Sequence, residues 1–361
     1  VVFQSGATNL VPGQIATGST DVFLYNVASQ SLTNVTFGAN FTSANTNPQI
    51  TADGSYVVFQ SGASNLVPGQ NDTSGTDVFL YNVATRSITN LTFGGNNNSS
   101  SPQITANGSH VFFTSVATNL VPGQTDTTNN DIFMYNVASG SFTNLTFGGN
   151  AGVSAPKITA NGSHVLFTTN ASNLVPGQSD RNNLTDIFLY DVATRSTTNL
   201  TFGGNSAHNT SSPQITANGS HVVFQSSATN LVPGITDPNT TTDVFLYNVA
   251  TRSITNLTFG GNGHSSAAQI TADGSHVVFQ SFATNLIPNQ TDTNGISVDV
   301  FLYNVASGSI TNLTLGGNGN SAAAQITANG SHLVFQSGAT NLIPNQTDTN
   351  GVTDIFLFGL A

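Results

Sequence analysis

Apolar positions in this chain fall in short unbroken runs, not in alternation. VVFQ at 57–60, HVVFQ at 221–225 and DVFLY at 77–81, 243–247 and 299–303 each set three or four apolar residues side by side, with Gly, Asn, Pro or Ser at their borders. Runs of this length rich in Val, Ile, Phe, Tyr and Thr read as strands. Without polar interruption they read as strands buried on both faces. No stretch keeps the period of an amphipathic helix.

The runs recur. A DVFLY-like unit begins at Asp21, Asp77, Asp131, Asp186, Asp243, Asp299 and Asp354, at spacings of 54 to 57 residues. Around it lie a VVFQS-like unit at 1, 57, 111, 165, 222, 277 and 333, and a QIT-like unit at 49, 103, 157, 214, 269 and 325. A TNLTF-like unit begins near Thr33, Thr89, Thr143, Thr198, Thr255 and Thr311. Four short strands per repeat, each buried on both faces, predict small sheets packed face to face around an axis. The expected fold is therefore all-β: a seven-bladed β-propeller of four-stranded antiparallel blades, forming one domain over 1–361. With QIT as strand a, and VVF, DVFLY and TNLTF as b, c and d, the first blade lacks strand a and the last lacks strand d. Those edges are expected to be filled by segments outside the sequence or by another chain through strand addition. Val1 in place of an initiator Met fits a processed or truncated chain. Between a and b, Asp53-Gly54 and Asn107-Gly108 predict type I′ turns.

PQITANGSHVVFQS, followed by a loop and DVFLYNVATRSITNLT, resembles the TolB-type, WD-like β-propeller repeat, in which a Pro-x-x-Ser-x-Asp-Gly unit leads into an inner hairpin. The insert of the ATNLVPGQTDTNG type resembles a variant found in secreted and surface bacterial proteins. The resemblance spans the whole chain and implies a propeller outside the cell or at its surface.

Composition narrows the partners. All 16 acidic residues are Asp, only Lys157, Arg86, Arg181, Arg195 and Arg252 are basic, and the net charge is -11. Such a chain has no electrostatic footprint for phosphates, so neither nucleic acid nor anionic membrane is an expected partner. No apolar run reaches membrane-spanning length, so no membrane insertion is expected. Cysteine is absent, which excludes disulfides and thiol chemistry.

Three constellations invite functional readings. The b–c loops carry Asp-x-Asn-like patterns ahead of the strand c Asp: Asp72 and Asp77; Asp126 and Asp131; Asp180, Asn182 and Asp186; Asp237, Asn239 and Asp243; Asp292, Asn294 and Asp299; Asp348, Asn350 and Asp354. Hard oxygen ligands on a tight turn suit Ca2+, although no bidentate Glu is present. The competing reading has the loop Asp and Asn shaping a turn while the second Asp caps the strand. Second, His110, His164, His221, His276 and His332 occupy one repeat position, which symmetry places in different blades, so packing or hydrogen bonding is expected of them. Third, Asn34, Asn90, Asn144, Asn199, Asn256 and Asn312 open Asn-x-Thr sequons on the outermost strand, where they are expected to be accessible to glycosylation.

Catalysis finds no pair of non-equivalent carboxylates and no nucleophile elbow. Lys157 stands where other blades have Gln and is expected to point toward the central channel. Length changes cluster in the b–c and d–a loops, which puts recognition on that side. Two readings follow. One is a structural or adhesive extracellular propeller without enzymatic activity, assembling with copies of itself or with a surface protein or glycan. The other is a Ca2+- or glycan-binding propeller that uses the b–c and d–a loop face.

Overall fold

A computed structural model describes residues 1–361 except 15–19, 41–44, 71–74, 125–128, 179–183, 206–212, 290–296, 344–347, 349–350 and 361. Asp72, Asp126, Asp180, Asn182, Asp292, Asn294 and Asn350 therefore lie outside the described residues. Among the described residues the strands form seven antiparallel sheets, five of four strands and the first and last of three, each following chain order. No helix there is long and apolar enough to cross a membrane. The second blade is representative: Thr46–Ile50, Tyr56–Ser61, Asp77–Asn82 and Ser87–Asn90 serve as strands a to d. This is a β-propeller of seven blades, with first and last incomplete in this chain.

The unbroken apolar runs behave as burial on both faces requires. Val57, Val58 and Phe59 are successive residues with no solvent exposure. Strands b and c pair so that Phe59 meets Phe79, Phe224 meets Phe245 and Phe279 meets Phe301, with ring centroids 5.4 Å apart in each pair.

The chain divides into two compact units, Val1–Gly162 with Ala171–Ser179, and Ser163–Asn170 with Asp180–Ala361. Within the first, Val58, Val78 and Leu80 of blade 2 pack on Ile104, Val111, Phe113 and Phe133 of blade 3. Within the second, Val223, Val244 and Leu246 of blade 5 pack on Val277, Phe279 and Phe301 of blade 6. One blade thus offers an aliphatic face and the next an aromatic one. Truncating a buried Phe here to Ala costs about 3–5 kcal/mol by the usual cavity arithmetic.

The a–b turns correct the sequence expectation. A type I′ turn needs positive φ at both central residues, yet Asp53 and Asn107 are absent from the positive-φ residues while Gly54 and Gly108 have φ of 73° and 70°. Gly54 N–H donates to Thr51 O at 3.0 Å, which closes an ordinary turn that the left-handed glycine then follows as a bulge. Close packing also demands glycine. A Cβ on Gly219 would lie 2.6 Å from His164 Nδ1, and one on Gly274 2.8 Å from His221 Nδ1. The same turns join consecutive blades through backbone bonds, Ala52 N–H to Ala106 O and Ala272 N–H to Ala328 O.

Candidate functional site

The strand c aspartates hold the outer strand in place. In blade 2, Asp77 accepts Asn90 Nδ2 at 2.8 Å and the Thr92 hydroxyl at 2.6 Å. Asp186 receives Asn199 and Thr201 at 2.7 and 2.6 Å, and Asp299 receives Asn312 and Thr314 at 2.9 and 2.7 Å. Asp21 and Asp131 repeat the arrangement with Asn34 and Thr36, and with Asn144 and Thr146. A buried carboxylate needs such donors.

The same bonds correct the expected accessibility of the sequons. The Nδ2 atoms of Asn34, Asn90, Asn144, Asn199, Asn256 and Asn312, which would carry a glycan, all turn inward to an Asp. Asn34, Asn90 and Asn199 are each only 9% exposed, and the sequon threonines Thr36, Thr92 and Thr201 are fully buried.

Blade 5 is where the structure describes a whole acidic loop. Asp237 and Asp243 are both buried, and Asn256 Nδ2 donates to Oδ2 of each at 3.0 Å. Thr258 donates to Asp243 Oδ1 at 2.7 Å. Burial first, and then the neighbouring Asp237, push the Asp243 carboxyl up to about 7. A neighbouring carboxylate and the loss of water both disfavour the charged form of Asp243. Asn239 takes no open position beside them. Its Oδ1 accepts the Thr241 N–H at 2.8 Å and the Thr241 hydroxyl, and its Nδ2 donates to Gly261 O at 2.9 Å. Its side chain closes the turn, as the second reading of the loop expects.

Among the described residues no three His, Asp or Glu side chains converge on a metal position. A different oxygen recurs next to the loops. Oε1 of Gln70, Gln124 and Gln178 is buried and accepts no hydrogen bond. The equivalent Gln14 places its Nε2 3.4 Å from Asp21 Oδ2, so this side chain sits beside the strand c carboxylate. Sequence reasoning passed over these glutamines. Their signal was recurrence before the acidic loop in most repeats, although blade 5 has Ile235 at this position. Asp348 and Asp354 are described and each takes part in interactions of its own.

The ring Nδ1 atoms of His110, His164, His221, His276 and His332 each meet the hydroxyl of the preceding serine in the same blade. Lys157 is half-buried, and burial holds its amine below the ordinary lysine value.

No protein family matches the sequence, and no curated protein matches it. Solved structures do resemble its fold. TolB from Acinetobacter baumannii is 14% identical, with 90% of this chain and 74% of that chain covered, at a TM-score of 0.36. The β-propeller domain of the trilobed protease from Pyrococcus furiosus is 10% identical, covering 94% and 87%, at 0.44. An oligogalacturonate lyase from Vibrio parahaemolyticus is 12% identical, covering 94% and 83%, at 0.48. Strand order and register make the chain a β-propeller, and TolB is among the solved structures it is similar to. Similar structures also include a manganese-bound oligogalacturonate lyase, a prolyl endopeptidase and an acylaminoacyl peptidase, and this chain spans 44% of each of the two peptidases. The expectation of a chain without enzymatic activity is corrected by these neighbours, because enzymes carry blades of the same fold and the fold excludes catalysis nowhere.

Proposed function

We propose that this chain is a binding propeller of the cell surface or extracellular space whose b–c loops take up Ca2+, with a partner protein or glycan engaged on the b–c and d–a face. The observation that carries the reading is the buried Asp237–Asp243 pair. Two carboxylates sharing one amide donor need a proton or a cation between them, and a hard divalent ion with oxygen preference satisfies both at once. The buried Oε1 atoms of Gln70, Gln124 and Gln178 support it independently. A buried acceptor without a donor costs about 1–3 kcal/mol, and repetition at one place in three blades favours a common electropositive occupant. The extracellular setting rests on the repeat's resemblance to those of secreted bacterial proteins.

Thermal melting in Ca2+ and in a chelator tests the reading. An ion that binds only the folded chain raises the melting temperature progressively with concentration, by about 2.7 kcal/mol of stability at a hundredfold excess over Kd. Asp237→Asn is expected to reduce that response. Superimposable curves in Ca2+ and chelator would overturn the proposal.

A further inference from the structure

The innermost strand is strained at one repeated place. Its pairing with strand b slips at a bulge between Thr46 and Gln49, Ser100 and Gln103, Ser266 and Gln269, and Ala322 and Gln325. Each bulge turns on a non-glycine residue in the left-handed region: Asn47 at φ 53°, Ser101 at 54°, Ala267 at 52° and Ala323 at 51°. That conformation costs an L residue energy, and a bulge re-aims the side chains that leave the ladder.

What the bulges present differs. Blades 6 and 7 carry Ala-Ala-Gln, whereas blades 2 and 3 carry Asn47-Pro48-Gln49 and Ser101-Pro102-Gln103. These six residues line a cavity of about 350 Å³ between blades 2 and 3, both in the first unit. Small-ligand sites run from about 300 to 1,000 Å³, and a benzene-sized guest needs roughly 150 Å³. No charged side chain is in the lining.

The amide orientations are fixed by backbone groups. Gln60 Oε1 accepts the Ser101 backbone N–H at 2.8 Å, so the Asn47 atom facing it at 3.2 Å is the Nδ2 donor, and Oδ1 is left unengaged. Gln103 meets the backbone carbonyl of Pro156 at 2.6 Å, and a carbonyl only accepts, so Nε2 makes that bond and Oε1 is left over. Gln49 and Ser101 are exposed and add an amide and a hydroxyl. The lining thus combines two proline rings with acceptor oxygens on four polar residues, while only Gln49 and Ser101 have donors to spare.

We propose that this cavity is a subsite for a neutral saccharide, whose hydroxyls donate to Asn47, Gln49 and Gln103 and whose C–H face rests on Pro48 and Pro102. The lining selects this class. Neither a carboxylate nor an ammonium finds a counter-charge there. A surplus of acceptors calls for several donors close together, which adjacent sugar hydroxyls supply and a peptide, with one N–H per residue, does not. The subsite rests on the glycan part of the function proposed above and shares no residue with the Ca2+ loops.

Calorimetric titration of the full chain in chelator with maltose, cellobiose and lactose tests the subsite, with digalacturonate and an acetylated, amidated triglycine as charged and peptide controls. At least one disaccharide is expected to bind with a Kd of about 10 mM or tighter, and each control about tenfold more weakly. Asn47→Ala with Ser101→Ala writes into blades 2 and 3 the alanine that blades 6 and 7 already hold at the same positive φ, so the double variant should melt as the parent does. It should weaken the disaccharide about tenfold, as should Gln49→Ala, whereas Gln325→Ala in blade 7 should leave binding unchanged. Absence of binding by all three disaccharides up to about 50 mM would overturn the proposal. So would binding that the blade 2 and 3 variants leave unchanged, or a control that binds as tightly as the disaccharides. Because the titrations exclude Ca2+, their failure is distinct from failure of the melting response to Ca2+.

Discussion

Asp273 and Asp243 are the same residue in two settings. Asp273 lies in an exposed a–b turn, where the Thr271 hydroxyl reaches it at 2.6 Å and the Ser275 N–H and hydroxyl at 3.0 and 2.8 Å. Those donors, the Thr271 hydroxyl foremost, hold its carboxyl down at about 2, and Asp53 shares both the arrangement and the value. Asp243 also has a hydroxyl and an N–H donor, yet burial and then Asp237 push it up to about 7. Donors are present in both places, so loss of water and a second carboxylate make the difference. The a–b side is where the repeat uses a carboxylate to finish a turn. The b–c side of blade 5 is where it confines one under electrostatic stress, and there a cation would release free energy.

The largest break of this contrast is Asp243→Ala against Asp273→Ala. At pH 5 the first variant leaves the Thr258 hydroxyl without its buried carboxyl acceptor and takes from the Asn256 amide one of its two, with Asp237 remaining, a loss on the order of 2 kcal/mol. The second removes an exposed turn contact and should stay within about 1 kcal/mol. Urea denaturation of both measures the gap, and equal losses would show that burial does not separate the two sites.

A smaller effect comes from pH. The folded Asp243 carboxyl titrates near 7, above its unfolded value of 3.8, so its contribution is complete below the unfolded value and is lost as pH rises through about 7. Asp53 and Asp273 run the other way. Their contribution is present above 3.8 and is lost as pH falls through about 2. In chelator, the melting temperature should therefore decline from mildly acidic pH toward pH 8. Asp237→Asn should flatten that decline by removing the neighbouring carboxylate, and Ca2+ should flatten it in the parent chain by taking the proton's place. A decline that Asp237→Asn leaves intact would place its source elsewhere.

Much of this was legible in the sequence. Seven repeats, the strand order and the double-faced burial of b and c followed from unbroken apolar runs, because Val57-Val58-Phe59 has no side left for water. The turn type was not legible, since Asn-Gly and Asp-Gly suit two hairpin geometries and the deciding contacts come from a neighbouring blade, as Gly219 against His164 illustrates. The role of the sequon asparagines was hidden for a similar reason. Asn256 meets Asp243 thirteen residues upstream only because strands c and d pair in one register.

The smallest expected effect is also the sharpest control. Asp273→Asn places in blade 6 the residue that blades 3, 4, 5 and 7 already use at this turn, as Asn107, Asn161, Asn218 and Asn329. Asn107 Oδ1 accepts the Ser109 N–H at 3.0 Å, the distance at which Asp273 accepts the Ser275 N–H. The turn therefore keeps its bond, and stability at pH 7 should move by no more than about 0.5 kcal/mol. What the substitution removes is the titration. Between pH 4 and pH 2 the variant should lose less stability than the parent, since an amide has no proton to gain. The same acid titration on Asp243→Asn should leave this limb unchanged, because that carboxyl is already protonated there. If Asp273→Asn instead left the acid limb as steep as before, the turn aspartates would not be its source.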